Sequence, residues 1–250
     1  MSNTTDRSRS AAYRFIVGTL RPFFMAITKR DWFGAENLPA EGGYVVCTNH
    51  YSHLDPLIFG HFMVDQGQSP RFLGKVEVFD VPIVGALLRS ADQIPVYRES
   101  GQAATAYRAA VAAVEHGKAV AIYPEGTLTR DPGLWPMKGK TGAARVALQT
   151  RCPVIPVANW GAQAVLPPYA KFPKFLPRKT MHIRVGAPVD LSDLYDRPLN
   201  HEVLATATER IMTAITRELE IIRGEQAPAQ RWDPRRHNQP IIGNPTKEAS

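Results

Sequence analysis

Short β-rich apolar segments alternate with helical segments along most of this chain, and that alternation restricts the possible fold more than any other feature. Buried strands read as short apolar runs, whereas a helix repeats its apolar residues every three or four positions. Strands are predicted at residues 43–48, 94–97, 118–123, 154–157 and 181–185. Helices are predicted from residues 52–55 to Met63 and over residues 103–116, 142–149 and 199–223. Such alternation favours one layered α/β domain with a mostly parallel sheet flanked by helices.

The N-terminal region is predicted to form an amphipathic helical segment. From Ala11 to Ile27 a wide apolar face lies beside a stripe with Arg14 and Arg21, which suits a helix in a membrane interface. Pro22 is expected to split this segment into two short helices, because a mid-helix proline removes a hydrogen bond. The alternative is a helix pair docked onto its own domain. The arginines and Pro22 argue against a spanning helix. The lack of a small-residue cleavage site after this segment argues against a secretory signal.

The chain is predicted to have three parts. They are membrane-associating helices in residues 1–30, the α/β domain in residues 31–223 and a polar, loosely ordered tail in residues 224–250. The longest periodic segment, Leu199 to Arg223, is expected to close the domain, with Asn200 as its N-cap. Trp232 and Ile241-Ile242 are the expected apolar anchors of the tail.

The charge of the chain favours a negatively charged partner. The net charge is +7 and the isoelectric point is near 9.5, which suits a phosphate group, nucleic acid or an anionic membrane. Nucleic acid is disfavoured because the basic residues are scattered and no reader motif is present. A basic, soluble surface is the alternative. Cys47 and Cys152 are too few for a disulfide scaffold and lack the clustering of a zinc site, which favours a reducing, cytosolic setting.

His50 and Asp55 have the chemistry of a general base and the carboxylate that orients it. Five residues turn a helix by about 500°, so His50 is expected on the strand-to-helix turn and Asp55 in the first helical turn. In the alternative, Ser52 and Asp55 form a capping box, although one carboxylate can serve both roles. His53 could join His50 on a metal, but no third ligand has a supporting spacing, so no metal site is predicted.

Charged residues also follow two other predicted strands. Arg98 follows the strand at 94–97, and its guanidinium can hold two phosphate oxygens at once. Glu125 and Gly126 follow the strand at 118–123, where an open backbone and a carboxylate suit a polar ligand. Ligands of parallel α/β sheets bind at the carboxyl ends of the strands. His50, Arg98 and Glu125 are therefore expected to converge on one site.

With these motifs in this order, the chain resembles the glycerolipid acyltransferase family, which includes the lysophosphatidic acid and glycerol-3-phosphate acyltransferases. The family has four blocks: Asn-His-x4-Asp, an apolar strand ending in arginine, aromatic-Pro-Glu-Gly-Thr, and an apolar segment centred on proline. Here the blocks are Asn49 with His50 and Asp55, Ile94 to Arg98, Tyr123 to Thr127, and Val154 to Val157. Lys75, with Pro82 and Gly85, resembles the family's basic linking segment.

The resemblance implies direct acyl transfer without an acyl-enzyme. His50 would deprotonate the acceptor hydroxyl, which attacks the thioester of acyl-CoA or acyl-carrier protein. Asp55 would orient His50, and Arg98 with Lys75 would hold the phosphate. The favoured acceptor is 1-acyl-sn-glycerol-3-phosphate, giving phosphatidic acid, with glycerol 3-phosphate or another lysophospholipid as the alternative. No cofactor is implied besides the acyl donor, and the enzyme is expected to be peripheral on the anionic, cytoplasmic face of the cell membrane.

One position departs from the family pattern. Arginine often follows Glu-Gly-Thr in the family, whereas Leu128 stands here, so Arg130 or Lys138 is expected to replace it. The turn with Lys140 could bind an anion at a helix start or be only a basic loop. Two other functions stay open: a hydrolase using the same base, although no Gly-x-Ser-x-Gly elbow is present, and a non-catalytic anionic-lipid-binding module. The predicted phosphate-binding residues are Lys75, Arg98, Glu125, Gly126, Thr127, Arg130 and Lys138.

Overall fold

A computed structural model describes residues 11–96 and 103–240 of this chain. Its strands are β1 Thr28–Phe33, β2 Tyr44–Thr48, β3 Arg71–Lys75, β4 Ile94–Val96, β5 Ala119–Ile122, β6 Val154–Trp160 and β7 Lys179–Val185. They form one sheet with the order β1-β7-β6-β2-β5-β3-β4. Neighbouring strands are parallel except β6 and β7, which are antiparallel. The predicted single α/β domain with a mostly parallel sheet is confirmed.

Helices cover both faces of this sheet. They are α1 Ala11–Ile27, α2 Asp55–Asp65, α3 Val76–Phe79, α4 Val84–Ser90, α5 Ala103–Glu115, α6 Gly142–Thr150, α7 Ala162–Val165 and α8 His201–Arg223, with 3-10 turns at Ala35–Asn37, Ser192–Leu194 and Pro234–His237. Side chains of α1 and α2 share one apolar cluster with one face of the sheet, and those of α5, α6 and α8 share another cluster with the opposite face.

Strand β2 shows why the central strands read as unbroken apolar runs. Tyr44 and Val46 belong to the cluster with α2, whereas Val45 and Cys47 belong to the cluster with α6 and α8. A parallel strand covered by helices on both faces has no solvent side, so it shows no polar alternation. The run itself therefore marks a central strand.

The predicted strands and helices are present within a few residues at each end, but two strands were missed. Strand β1 reads TKRDWF and, among the described strands, pairs with β7 alone at the edge of the sheet, where polar side chains stay in water. Strand β3 begins at Arg71, ends at Lys75 and contains Gly74, so it lacks an apolar run. Backbone pairing to neighbours, which no local pattern reveals, makes both segments strands.

The predicted break at Pro22 is wrong, because one helix, α1, runs from Ala11 to Ile27 with Pro22 inside it. Leu20, Phe24 and Ile27, on both sides of the proline, pack in the cluster with α2. A mid-helix proline costs about 3 kcal/mol, whereas a fully buried apolar side chain such as that of Phe24 contributes about 1.5–3 kcal/mol, to which the partly buried Leu20 and Ile27 add. Packing onto the domain therefore holds the two halves in one helix.

The last helix, α8, has the predicted cap. Asn200 Oδ1 accepts a hydrogen bond from the Val203 N–H at 3.0 Å, and Gly224 ends the helix with a positive φ of 65°. Beyond it, the Arg231 guanidinium donates to Glu209 and Thr213 of α8. Residues 241–242, the other predicted anchor of the tail, lie outside the described residues.

One edge of the sheet brings together the segments that carry the predicted site residues. Strands β2 to β6 are mutually parallel, so all five end at this edge. Strand β7 runs the other way and β1 is parallel to it, so both begin there, with Thr28 beside Lys179. The C-terminal end of α1 is therefore at the same edge as the carboxyl ends of the central strands. Within the described ranges, no helix is long and apolar enough to cross a bilayer.

Candidate active site

His50 lies just beyond β2, on the strand-to-helix turn, as predicted from its spacing. Its Nδ1 is 2.9 Å from Asp55 Oδ2, and Asp55 is the first residue of α2. A carboxylate oxygen accepts a hydrogen bond, so Nδ1 carries the proton in this pair. The His50 side chain is partly exposed, whereas that of Asp55 is fully buried. The pair therefore leaves Nε2 as the imidazole nitrogen that can accept a proton.

The same carboxylate oxygen of Asp55 also organises the start of α2. Oδ2 accepts hydrogen bonds from the Tyr51 N–H at 2.5 Å and the Ser52 N–H at 2.8 Å. The reciprocal bond of a capping box is not made, because Ser52 Oγ accepts the Leu54 N–H at 3.1 Å rather than the Asp55 N–H, which donates to the Ser52 carbonyl. Asp55 Oδ2 therefore both contacts the imidazole of His50 and accepts the Ser52 N–H, which is one of the two hydrogen bonds of a capping box. Three donors on one buried carboxylate stabilise its negative charge.

Tyr123 packs against the imidazole of His50. The ring centroids are 4.2 Å apart and the ring planes differ by 29°. Burial raises the pKa of Tyr123 well above its usual range, so the phenol stays neutral. Stacking on one face and the hydrogen bond to Asp55 together restrict the orientation of the imidazole.

Glu125 holds the backbone of the turn that carries His50. Its Oε1 accepts the His50 N–H and its Oε2 accepts the Met137 N–H, both at 3.0 Å. The Thr129 N–H in turn donates to the His50 carbonyl at 2.7 Å. Burial raises the pKa of Glu125 to about 8, although these N–H donors lower it. Because backbone donors occupy both oxygens, a contact between Glu125 and phosphate stays a prediction.

A buried pair of asparagines lies next to His50, and one of them, Asn159, was not predicted from the sequence. Asn49 Nδ2 donates to the Asn159 carbonyl, and the Asn159 N–H donates to Asn49 Oδ1, at 2.8 and 2.9 Å. Asn159 Nδ2 also donates to Thr48 Oγ1 and to the Asn49 carbonyl. These bonds join the ends of β2 and β6. The available signal was a lone amide near the end of an otherwise apolar segment.

The predicted phosphate-binding residues are only partly brought together. Lys75 ends β3 at the same edge as His50 and forms an ion pair with Glu77 at 2.9 Å. Lys138 is exposed and pairs with Asp233 at 3.3 Å. Arg130 is buried and lies next to Thr129, which contacts the His50 turn. Arg98 lies outside the described residues.

The Glu125-Gly126-Thr127 turn is close to a lysine. Gly126 has a φ of +69°, and a Cβ at this position would lie 2.8 Å from Lys140 Nζ. Lys140 therefore extends over the turn, two residues beyond Lys138 in the sequence. Thr127 is buried. Leu128, where an arginine was expected, is only 2% exposed, so this position belongs to the interior.

Two further features bear on metal binding. His53 packs edge-to-face on Tyr169 with centroids 6.4 Å apart, and its pKa is lowered by burial and by nearby His50. Across the described part of the chain, no group of three or more His, Cys, Asp or Glu side chains could hold a metal ion.

An α/β domain with a histidine–carboxylate pair at the carboxyl ends of parallel strands is an arrangement suited to base-assisted transfer to a hydroxyl group. A family model described as Acyltransferase matches residues 30–160, more than half of the chain. The chain therefore belongs to the acyltransferase family, and it is an acyltransferase enzyme. This confirms the resemblance to the glycerolipid acyltransferases.

Named relatives agree with this membership. A 1-acyl-sn-glycerol-3-phosphate acyltransferase of Bacillus subtilis is 26% identical over 83% of this chain and 96% of its own length. The chloroplastic 1-acyl-sn-glycerol-3-phosphate acyltransferase BAT2 of Brassica napus is 30% identical over 65% of this chain, and the match spans only 46% of that protein. The crystal structure of the 1-acyl-sn-glycerophosphate acyltransferase PlsC from Thermotoga maritima superposes with a TM-score of 0.65 at 23% identity, covering 90% of this chain and 86% of that one. The last comparison shows a shared fold.

Proposed function

We propose that this enzyme transfers a fatty acyl group from acyl-CoA or acyl-carrier protein to the free hydroxyl of 1-acyl-sn-glycerol-3-phosphate, giving phosphatidic acid. The observation that carries the proposal is the His50 Nδ1–Asp55 Oδ2 bond of 2.9 Å, which leaves Nε2 for the substrate. The names of the relatives from Bacillus subtilis and Brassica napus support this choice of acceptor. Glycerol 3-phosphate and other lysophospholipids are the alternative acceptors.

The proposed reaction is a single transfer between substrates. His50 Nε2 takes the proton of the acceptor hydroxyl as its oxygen attacks the thioester carbonyl. The new C–O ester bond forms, the C–S bond breaks, and the thiolate leaves with the proton that His50 returns. Asp55 stabilises the imidazolium formed in between. General-base catalysis of this kind contributes about 10²- to 10⁴-fold, and the thioester is already reactive.

The acceptor phosphate is proposed to bind beside the Gly126 turn. Lys75 at the end of β3 and Lys140 over Gly126 are positive groups at or near the edge that carries His50. Arg98 and Arg130 are the further candidates for this contact. Because the acceptor is a membrane lipid, the enzyme works as a peripheral protein on the cytoplasmic face of an anionic membrane. Exposed Phe15 and Phe23 of α1 and the net charge of +7 support that location.

An acceptor panel tests the proposal. Labelled acyl-CoA is offered with 1-acyl-sn-glycerol-3-phosphate, glycerol 3-phosphate and lysophosphatidylcholine, to the wild-type enzyme and to His50→Ala. His116→Ala, an exposed histidine at the end of α5, is the matched control. We expect phosphatidic acid from the wild type and the control only. Full activity of His50→Ala would exclude the base, and faster transfer to another acceptor would correct the substrate.

A further inference from the structure

The loop between α7 and β7 exposes the two least covered large apolar side chains of the described residues. Phe172 is 81% exposed and Leu176 is 82% exposed. Residues 171–178, called here the 171–178 loop, read KFPKFLPR. Exposing aromatic and aliphatic side chains to water is unfavourable in free energy. Such exposed apolar groups, here interleaved with basic residues, are typical of surfaces that bind a partner.

The 171–178 loop starts at the rim of the active site. Leu166, just before the loop, accepts a hydrogen bond from Ser52 Oγ at 2.8 Å, and Tyr169 packs on His53. The loop leads directly into Lys179, the first residue of β7, which is at the edge of the sheet where β2 ends. The loop therefore lies along the mouth of the site that contains His50.

The same loop is attached to the C-terminal end of α1. Phe175 packs edge-to-face on Phe23 with ring centroids 5.8 Å apart. Arg178 Nη2 donates hydrogen bonds to the Met25 carbonyl at 2.9 Å and the Thr28 carbonyl at 2.6 Å. Phe23 is itself 45% exposed, so the exposed side chains of the loop continue those of α1. Loop and helix thus present one surface, although they are about 150 residues apart in sequence.

Charge indicates which partner fits this surface. The chain has no aspartate or glutamate from Pro132 to Val189, a range that contains the whole loop. Lys171 and Lys174 are exposed between the apolar side chains, and Arg178 is exposed at the end of the loop. Basic side chains beside exposed apolar ones match an anionic lipid surface, where the headgroups meet the charges and the acyl region takes up the apolar groups.

We propose that the 171–178 loop is a second membrane-contacting element, which inserts Phe172 and Leu176 into the interface of an anionic phospholipid bilayer. Lys171 and Lys174 contact the headgroups, while α1 contacts the same bilayer alongside. This inference rests on the proposed function, because it explains how His50 reaches a lipid acceptor: the loop holds the mouth of the site against the bilayer. Two attachment points fix an orientation that one helix, free to roll, does not.

Vesicle binding by a double variant tests the contribution of the loop. Phe172→Ala combined with Leu176→Ala is compared with Leu199→Ala combined with Ile221→Ala, which removes exposed apolar groups outside the loop. The loop variant is expected to bind anionic vesicles at least about tenfold more weakly than the control, since each removed side chain would be buried in lipid. Equal binding of the two variants, with unchanged thermal midpoints, would overturn the proposal.

A probe at position 172 tests insertion directly. Phe172→Cys and Ile221→Cys carry an environment-sensitive fluorophore, which is selective because native Cys47 and Cys152 are buried. A blue shift with anionic vesicles is expected at 172 and not at 221. Absence of the shift at 172 in protein that sediments with vesicles would exclude insertion. A dimer in sedimentation that the double alanine variant abolishes would instead identify a second copy of this chain as the partner.

These outcomes stay separate from the chemistry. Acyl transfer to a short-chain, water-soluble acceptor needs no bilayer. If transfer to this acceptor does not depend on His50, the proposed function is contradicted, whatever the vesicles show.

Replacing Lys171 and Lys174 with glutamine should weaken binding to anionic vesicles and leave binding to phosphatidylcholine vesicles unchanged. Equal weakening on both vesicle types would exclude the charge contribution.

Discussion

The turn that carries His50 and the 171–178 loop lie side by side at one edge of the sheet, yet they are built in opposite ways. In the His50 turn, Asp55, Glu125 and Tyr123 fix the side chain or the backbone of the histidine. In the 171–178 loop, the side chains of Phe172 and Leu176 contact mostly solvent. The proposed base has to be held in a narrow geometry, whereas the proposed membrane-contacting surface has to be left uncovered. Substitutions should therefore act on catalysis and stability in the first region and on association in the second.

The largest effect is expected from Asp55→Asn. The amide oxygen can still accept the N–H groups of Tyr51 and Ser52, so α2 keeps its start, but the charge that would stabilise the proposed imidazolium of His50 is lost. We expect kcat to fall by about 10²- to 10⁴-fold. Steady-state kinetics measure this, with exposed Asp196→Asn as control. A kcat within a factor of two of wild type would show that the carboxylate only caps the helix.

A large effect on stability is expected from Asn159→Ala, which removes hydrogen bonds to Thr48 and to the Asn49 carbonyl behind His50. Each buried polar group left unpaired costs about 1–3 kcal/mol. Denaturant unfolding should show a loss larger than that of Asn200→Ala, which removes one helix cap worth about 1 kcal/mol. The reverse order would mean that the asparagine pair is not what joins the ends of β2 and β6.

Glu125→Gln should change how stability depends on pH. The pKa of Glu125 is raised to about 8 from an ordinary value of 4.5, so between these values the folded protein keeps a proton that the unfolded chain releases. Stability from this group is therefore fully present at low pH and is lost as pH rises towards about 8. The glutamine variant should have a flatter slope of thermal midpoint against pH between 5 and 8. Exposed Glu115→Gln is the control, and identical slopes for both variants would contradict the raised pKa.

The smallest effect on stability is expected in the 171–178 loop. Phe172→Ala with Leu176→Ala removes side chains that are mostly in water, so the free energy of unfolding should stay within about 0.5 kcal/mol of wild type. Denaturant titration without lipid measures it. A loss above about 2 kcal/mol would mean that the 171–178 loop is packed like the His50 turn, and the contrast between the two regions would fail.

The sequence predicted the parts of the fold that leave a local pattern. Strands β2 and β5 are buried on both faces of the sheet, so they read as apolar runs. Asn200 and Gly224 mark the two ends of the last helix, α8. Strands β1 and β3 leave no such pattern, because pairing with distant neighbours makes them strands. The continuity of α1 through Pro22 also depended on packing against α2, which no local rule contains.

By itself, the sequence determined the class of fold and the pairing of His50 with Asp55, because a strand period, a helix period and a spacing of five residues are local quantities. Only the tertiary structure decided that Glu125 accepts the backbone N–H of His50 and that Asn159 hydrogen-bonds to Asn49. It also decided that the 171–178 loop packs against α1. These contacts join residues from 75 to about 150 positions apart. Such contacts form when chain folding closes the sheet, so they depend on the order and direction of strands rather than on any one segment.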